Sequence, residues 1–378
     1  MGDRKGYLRD IKRVVIKIGS SSLTSREGGL NKANIKRFVN ETSALIKRGI
    51  EVIIVTSGAI AAGLESLNIR RKPEDITMLQ AAASIGQVEL MSLYSNLFLK
   101  NNLKVGQILL THEDTTRREQ YLNIKNTIKK LIGLNVIPVI NENDSVAVDE
   151  IKFGDNDKLA ALVAILADAD ILIILTDIEG MYDKDPRTYS DAKLLSFVDK
   201  INKDIESAAG GIGSTYGIGG MESKIKAAKI CSFSSIKVII ANSERKNILN
   251  KVIAGDDIGT FFAPQTVKKV KSVKKWIAFG KKTKGGIVID KGAEEAVLNQ
   301  GKSILAVGVV EVNGKFNKGD TLKVFSMDSK LIAKGISNFS SEDIERIKGK
   351  NKKKILSEFD ASMCGEVIHR DCLVVFDE

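Results

Sequence analysis

Cysteine and histidine are scarce in this chain. Of its 378 residues only Cys231, Cys364 and Cys372 are cysteines, and their spacing is unpaired. That argues against a disulfide framework and fits a reducing compartment. The histidines are His112 and His369, and there is no C-x-x-C, so a His/Cys metal site is not expected. No apolar run approaches the roughly 18 residues of a membrane span. The charged start MGDRKGYLRDIKR lacks the apolar core of a secretory signal. A cytoplasmic protein is expected. Familiar phosphate signatures are missing too. There is no G-x-x-x-x-G-K-[ST], and His369-Arg370-Asp371 spells the protein-kinase triplet without its companion motifs.

What is present is a chain long enough for two domains, with an ordinary 43% of apolar residues. From residue 12 to about 260, short Val/Ile/Leu-rich blocks (RVVIKI, IEVIIVT, KVGQILLT, NVIPVIN, DILIILTD, SIKVIIAN) alternate with helical patterns. Blocks of this kind are expected to be strands buried on both faces of a parallel sheet covered by helices. Ligands in such folds gather at the carboxyl ends of the strands. Beyond residue 263 the pattern changes to short β-like runs (WIAFG, GGIVID, GVVEVNGKF, DTLKVFS, EVIHRDCLVVF) separated by turns, which predicts a smaller, mostly β domain. The boundaries expected are 1–262 for the first domain, 263–274 for a linker and 275–378 for the second.

About +7 of the net charge of +11 lies beyond residue 263. A lysine-rich solvated face and an electrostatic nucleic-acid surface both account for it. Aromatic residues for base stacking are few there (among them Trp276, Phe279, Phe316, Phe325 and Phe339), and several are needed for a core.

Chemistry-bearing residues cluster after the predicted strands. VVIKIGSSSL places Lys17 inside an apolar run and follows it with Gly19 and three serines. IVTSGAIAAG puts Ser57-Gly58 where a strand gives way to a small-residue helix. VIPVINENDSV carries Asn141, Glu142, Asn143, Asp144 and Ser145, and FGDND opens a helix with Asp155, Asn156 and Asp157. Helix capping explains one of these acids but not the whole set. LIILTDIEG ends a strand on Thr176-Asp177. GGIGSTYGIGGMESK runs from six glycines into a helix whose first turn holds Lys224. A cation there is unfavourable unless an anion is near, which suggests a phosphate cradle. With no histidine or cysteine at these points, phosphoryl transfer by positioning and charge neutralisation is the chemistry that remains.

VVIKIGSSSLT, IVTSGAIAAG, AAASIGQ, VGQILLT, VIPVINENDSV, FGDNDKLAALVA, LTDIEGMYDKDPR and GIGGMESKIKAA occur in the order seen in glutamate 5-kinases. The chain thus resembles the amino acid kinase family, whose fold is an αβα sandwich around a mainly parallel sheet. GGIVIDKGAEEAVLNQGKSILAVGVVEVNGKFNKGDTLKVF and GEVIHRD resemble the PUA domain attached to many of them. The resemblance implies ATP-dependent phosphorylation of the L-glutamate side-chain carboxylate, the first step of proline synthesis. It implies that Lys17 and Lys224 flank the transferred group and that Asp157 holds them. Ser57, Asp144 and Asn156 would bind glutamate, with Gly58 and Ala59 lining its pocket. Lys17, Thr176, Asp177, Ile218, Gly219, Gly220, Met221, Glu222, Ser223 and Lys224 would bind ATP. Mg²⁺ would bridge the phosphates, with no direct protein ligand assigned. The resemblance also implies inhibition by proline, hand-over of the labile product to glutamyl phosphate reductase, and a homodimer or homotetramer. NENDSV with FGDND disfavours another amino acid kinase, and RNA binding through the PUA module is the reading from a different class. One departure stands out: Gly217-Ile218-Gly219-Gly220-Met221 has isoleucine where the family often has threonine, which removes a hydroxyl contact to nucleotide.

Overall fold

The computed structural model of the chain describes residues 3–25, 28–111, 113–115, 117–147, 156–209, 220–265, 283–360 and 363–376. It divides into two units, Met1–Lys269 and Val270–Glu378. In the first unit the elements are α1 (Arg4–Leu8), β1 (Arg13–Ile18), α2 (Ser20–Leu23), α3 (Lys32–Lys47), β2 (Glu51–Val55), α4 (Ala59–Ser66), α5 (Ile76–Leu99) and β3 (Lys104–Leu110). They continue with α6 (Arg118–Gly133), β4 (Val136–Glu142), α7 (Asp157–Leu166), β5 (Ile171–Thr176), β6 (Phe197–Val198), α8 (Lys203–Ala209), α9 (Met221–Phe233), β7 (Lys237–Asn242), α10 (Ile248–Ala254) and β8 (Thr260–Phe262).

The eight strands form one sheet in the order β3-β4-β2-β1-β5-β7-β8-β6. Every pairing is parallel except β7 with β8. All six apolar blocks are strands. Five of them are almost wholly buried, as expected for strands covered by helices. KVGQILLT is the exception: β3 is the edge strand, and only Leu110 is fully buried. An edge strand has a partner on one side only, so its apolar residues are only half covered.

The core between sheet and helices is built from alternate strand residues such as Val14, Ile16, Ile54, Ile173 and Ile239, packed against Phe38, Leu90, Tyr94 and Phe98 of α3 and α5. Two close approaches fix the helices over the carboxyl ends of the strands. A Cβ on Gly63 would lie 1.8 Å from the Ala82 carbonyl oxygen, and one on Gly86 would lie 1.9 Å from the Ala59 carbonyl oxygen. Only glycine lets α4 and α5 touch backbone to backbone.

The second unit has a five-stranded sheet in the order β11-β9-β12-β13-β15, from β9 (Thr283–Ile289), β11 (Val309–Asn313), β12 (Thr321–Phe325), β13 (Leu331–Ile336) and β15 (Leu373–Val375). A two-stranded sheet pairs β10 (Ile304–Leu305) with β14 (Glu366–Ile368). EVIHRDCLVVF is thus two strands in different sheets, because a 3₁₀ turn at Arg370–Cys372 redirects the chain. LIAKGI, which is not among the β-like runs above, forms β13. Phe316 and Phe339 are core residues, as the shortage of aromatics suggests. WIAFG, Trp276, Phe279, His112 and most of the expected linker lie outside the described residues.

Candidate active site

Lys17 is the penultimate residue of β1, in register with Val55 of β2 and Ile174 of β5. A lysine there faces the middle of the sheet's carboxyl edge rather than open solvent. Its side chain is 5% exposed, and its ammonium lies 2.6 Å from Asp157 Oδ1. Asp157, fully buried, opens α7. The other oxygen of the same carboxylate, Oδ2, lies 3.1 Å from the Lys224 ammonium, which is 7% exposed. Ser223 Oγ lies 3.0 Å from that oxygen and 2.8 Å from the Gly220 carbonyl oxygen. One carboxylate therefore sits between two buried ammonium groups brought from β1 and α9. The cation in the first turn of α9, unfavourable in isolation, finds its anion inside the protein.

Asn156 precedes Asp157 and occupies the N-cap position of α7, yet it makes no side-chain cap hydrogen bond. Its amide nitrogen donates instead to the Thr56 carbonyl (2.7 Å) and to Asn141 Oδ1 (2.9 Å), and lies 3.1 Å from Ser57 Oγ. The carboxyl ends of β2 and β4 are thereby tied to the start of α7. Ser57 is buried, and Gly58 adopts φ +100°, a left-handed conformation that begins α4 without strain only as glycine. Ala59 is buried in the first turn of α4, and Asp144 is buried just past β4. Gln87 of α5 accepts from Asn141 Nδ2 at 2.9 Å. Asn141 was visible in the polar row at the end of its strand. Gln87 was missed, and its signal was a lone amide ending the small-residue run AAASIGQ.

On the other side of β1, Thr176 is buried and donates to Asp177 Oδ1 at 3.0 Å, with Asp177 exposed. Glu179, in the loop that follows, accepts from Asn242 Nδ2 (2.9 Å) and from Arg245 Nε (2.7 Å), which joins the ends of β5 and β7. Ser22 donates to Ser243 Oγ at 2.8 Å and ties the serine turn after β1 to the end of β7. Gly220 is the exposed N-cap of α9, followed by half-buried Met221. Glu222 is exposed and paired with Lys226 at 2.6 Å. Ile218, Gly219 and Asp155 lie outside the described residues. Two groups of side chains emerge. Lys17, Asp157, Ser223 and Lys224 form a charged centre, and Ser57, Asn141, Asn156 and Gln87 form an amide and hydroxyl cluster beside it.

A family model described as the amino acid kinase family matches residues 12–242, and one for the PUA domain matches residues 285–359. The chain belongs to the amino acid kinase family. It is a kinase with a separate C-terminal PUA domain. Among its relatives in that family is a glutamate 5-kinase of Caldanaerobacter subterraneus subsp. tengcongensis, 47% identical over 97% of this chain and 98% of the relative. Another is a glutamate 5-kinase of Carboxydothermus hydrogenoformans, 45% identical over 98% of this chain and 99% of the relative. A solved UMP kinase from Bacillus anthracis aligns at 15% identity with a TM-score of 0.47, covering 70% of this chain and 100% of its own.

Proposed function

We propose that this kinase transfers the γ-phosphoryl group of ATP to the side-chain carboxylate of L-glutamate, the first step of proline synthesis. The observation that carries the reading is Asp157 held between Lys17 and Lys224 in a buried centre. A carboxylate is ionised at neutral pH, so it attacks phosphorus without a general base. Its oxygen forms the new bond to phosphorus, and the bond to the bridging oxygen of ADP breaks, leaving its electron pair on ADP. The difficulty is that both reactants are anions. Two preorganised ammonium groups offset that repulsion where water is excluded, and Asp157 keeps them apart and aimed.

The amide and hydroxyl cluster with Ser57, Asp144 and Asn156 is the glutamate side of the site, with Gly58 and Ala59 beside it. Thr176, Asp177 and the segment 218–224 are the ATP side. Among the described residues no three of His, Cys, Asp and Glu gather as a metal cage. A donor set of two ammonium groups and one shared carboxylate suits a Mg²⁺ ion that arrives on the nucleotide phosphates, where it would supply further charge neutralisation. The same reading includes proline as an inhibitor overlapping the glutamate cluster, a homo-oligomer, hand-over of the product to a reductase, a cytoplasmic location, and a catalytic domain of residues 1–262 joined by 263–274 to a PUA domain of 275–378. Among the described residues no helix is long and apolar enough to cross a membrane.

The test is to incubate the protein with Mg-ATP, L-glutamate and hydroxylamine, which traps an acyl phosphate as its hydroxamate. Hydroxamate from glutamate but not from aspartate, and none with Lys224→Ala, supports the reading. Proline added at rising concentration should raise the glutamate KM. ATP binding without any hydroxamate overturns the substrate assignment.

A further inference from the structure

The amide cluster has a direction, set by a group that can only accept. The Thr56 carbonyl oxygen takes a hydrogen bond from the Asn156 side chain at 2.7 Å, so the Asn156 atom facing it is Nδ2. That same nitrogen faces the Asn141 side chain at 2.9 Å, so the facing Asn141 atom is Oδ1. Asn141 therefore presents Nδ2 to Gln87 at 2.9 Å, and Gln87 meets it with Oε1. The chain of amides ends on Gln87 Nε2, a donor. Gln87 is only 9% exposed, and among the described residues no acceptor lies within hydrogen-bond distance of Nε2. A buried donor left without an acceptor is destabilising, and native proteins rarely leave one so without a use for it.

The sheet order says which part of an amino acid would meet this donor. Lys17 stands on β1 and Asn141 on β4, with β2 between them, and strands are spaced so that the two lie roughly 10 Å apart. An extended glutamate spans about 5 Å between its carboxyl carbons. With the reacting carboxylate at Lys17 and Lys224, the other carboxylate is directed toward β4 and α5, where the amide chain ends. Gly86, adjacent to Gln87, is pressed against the Ala59 backbone, which holds this part of α5 against the first turn of α4.

We propose that Gln87 is a substrate-contacting residue whose Nε2 donates to the α-carboxylate of the amino acid and so selects for it. The proposal deepens the glutamate reading above and rests on it. Gln87 does not touch the reacting atoms, so its loss weakens substrate binding and spares the chemical step.

The test compares the full-length protein with Gln87→Met, which keeps size and removes both the donor and the Oε1 that accepts from Asn141, and with Gln87→Glu, which keeps shape and that acceptor but replaces the donor by an anion. Loss of a hydrogen bond to a charged group predicts that Gln87→Met raises the glutamate KM by about 10- to 100-fold, with kcat within a few-fold of the parent and the ATP KM unchanged. Gln87→Glu raises the glutamate KM further at pH 8, and the rise shrinks as the pH falls and the new carboxyl regains a proton to donate. Gln87→Met shows no such recovery. An unchanged glutamate KM in Gln87→Met overturns the proposal. Equal, pH-independent losses in both variants also overturn it, because they indicate a packing role. Should Gln87→Met fail to fold, the pH profile of Gln87→Glu decides alone. If the parent protein itself makes no hydroxamate from glutamate, the functional reading fails and this assignment falls with it.

Discussion

Replacing Asp157 with asparagine keeps the side chain's shape and removes the one charge that both buried lysines share. The two contacts are 2.6 and 3.1 Å long, and at an effective dielectric of about 20 each represents roughly 5–6 kcal/mol of gross attraction. Desolvation cancels much of that in the intact site, so the gross figure is not the loss. What Asp157→Asn exposes is two like charges buried close together without the carboxylate between them, and removing one partner from a buried pair typically costs about 3–5 kcal/mol. Stability should fall by that order in urea unfolding of the purified protein. Activity should fall as well, since the ammonium groups lose the group that spaces them. A loss of about 3 kcal/mol from the transition state alone lowers kcat roughly 100-fold in the hydroxamate assay. The ATP KM should change far less than kcat if Asp157 acts by aiming the lysines rather than by binding nucleotide. A variant with parental stability and kcat within a few-fold would refute the shared-carboxylate argument.

Gly86→Ala should be among the most damaging single-methyl changes in the chain, because its Cβ would meet backbone at 1.9 and 2.3 Å on α4 rather than a side chain that can move. A thermal midpoint lowered by several degrees is expected, along with a raised glutamate KM as Ala59 and Gln87 part. An unshifted midpoint would show that the two helices separate freely. Burial pushes the Tyr94 phenol up to about 12, against the lowering effect of its hydrogen bond with Thr56 Oγ1 at 3.1 Å. A folded-state value above the ordinary 10 contributes stability that is fully present below pH 10 and is lost as the pH rises toward 12, at roughly 1.4 kcal/mol per pH unit. Urea midpoints between pH 9 and 11 should therefore fall less steeply in Tyr94→Phe than in the parent. Parallel curves would mean that Tyr94 is not the titrating group.

Much of the candidate site is legible in the sequence, for a reason that is local. Lysine inside an apolar strand, serine and glycine at a strand's end, and consecutive amides and acids where packing asks for none are all anomalies within a short window. Lys17, Ser57, Asn141 and Asp157 were found that way, and strand ends of a parallel sheet are where such anomalies point. Gln87 escaped because a glutamine in a helix rich in alanine is unremarkable until the neighbour across the sheet is known. Asn156 was legible as polar, but an asparagine just before a helix is ordinarily a cap. The fold used its amide on Thr56, Ser57 and Asn141 instead.

The sequence by itself determined the alternation of strand and helix, the change of pattern near residue 263 and the residue types available for chemistry, because periodicity and side-chain identity act over a few residues. Which groups meet was decided only by tertiary structure. Lys17 and Lys224 are more than two hundred positions apart, and their common partner Asp157 starts a helix between them in the chain. They converge because β1 lies between β2 and β5 and α9 packs against α7 over that edge. The edge status of β3 was likewise a matter of strand order, since a run of valines and leucines carries no mark of how many neighbours it will have. Charge placement follows the same logic: a cation at the start of α9 is unfavourable by the local dipole rule, and a buried carboxylate from another element pairs with it.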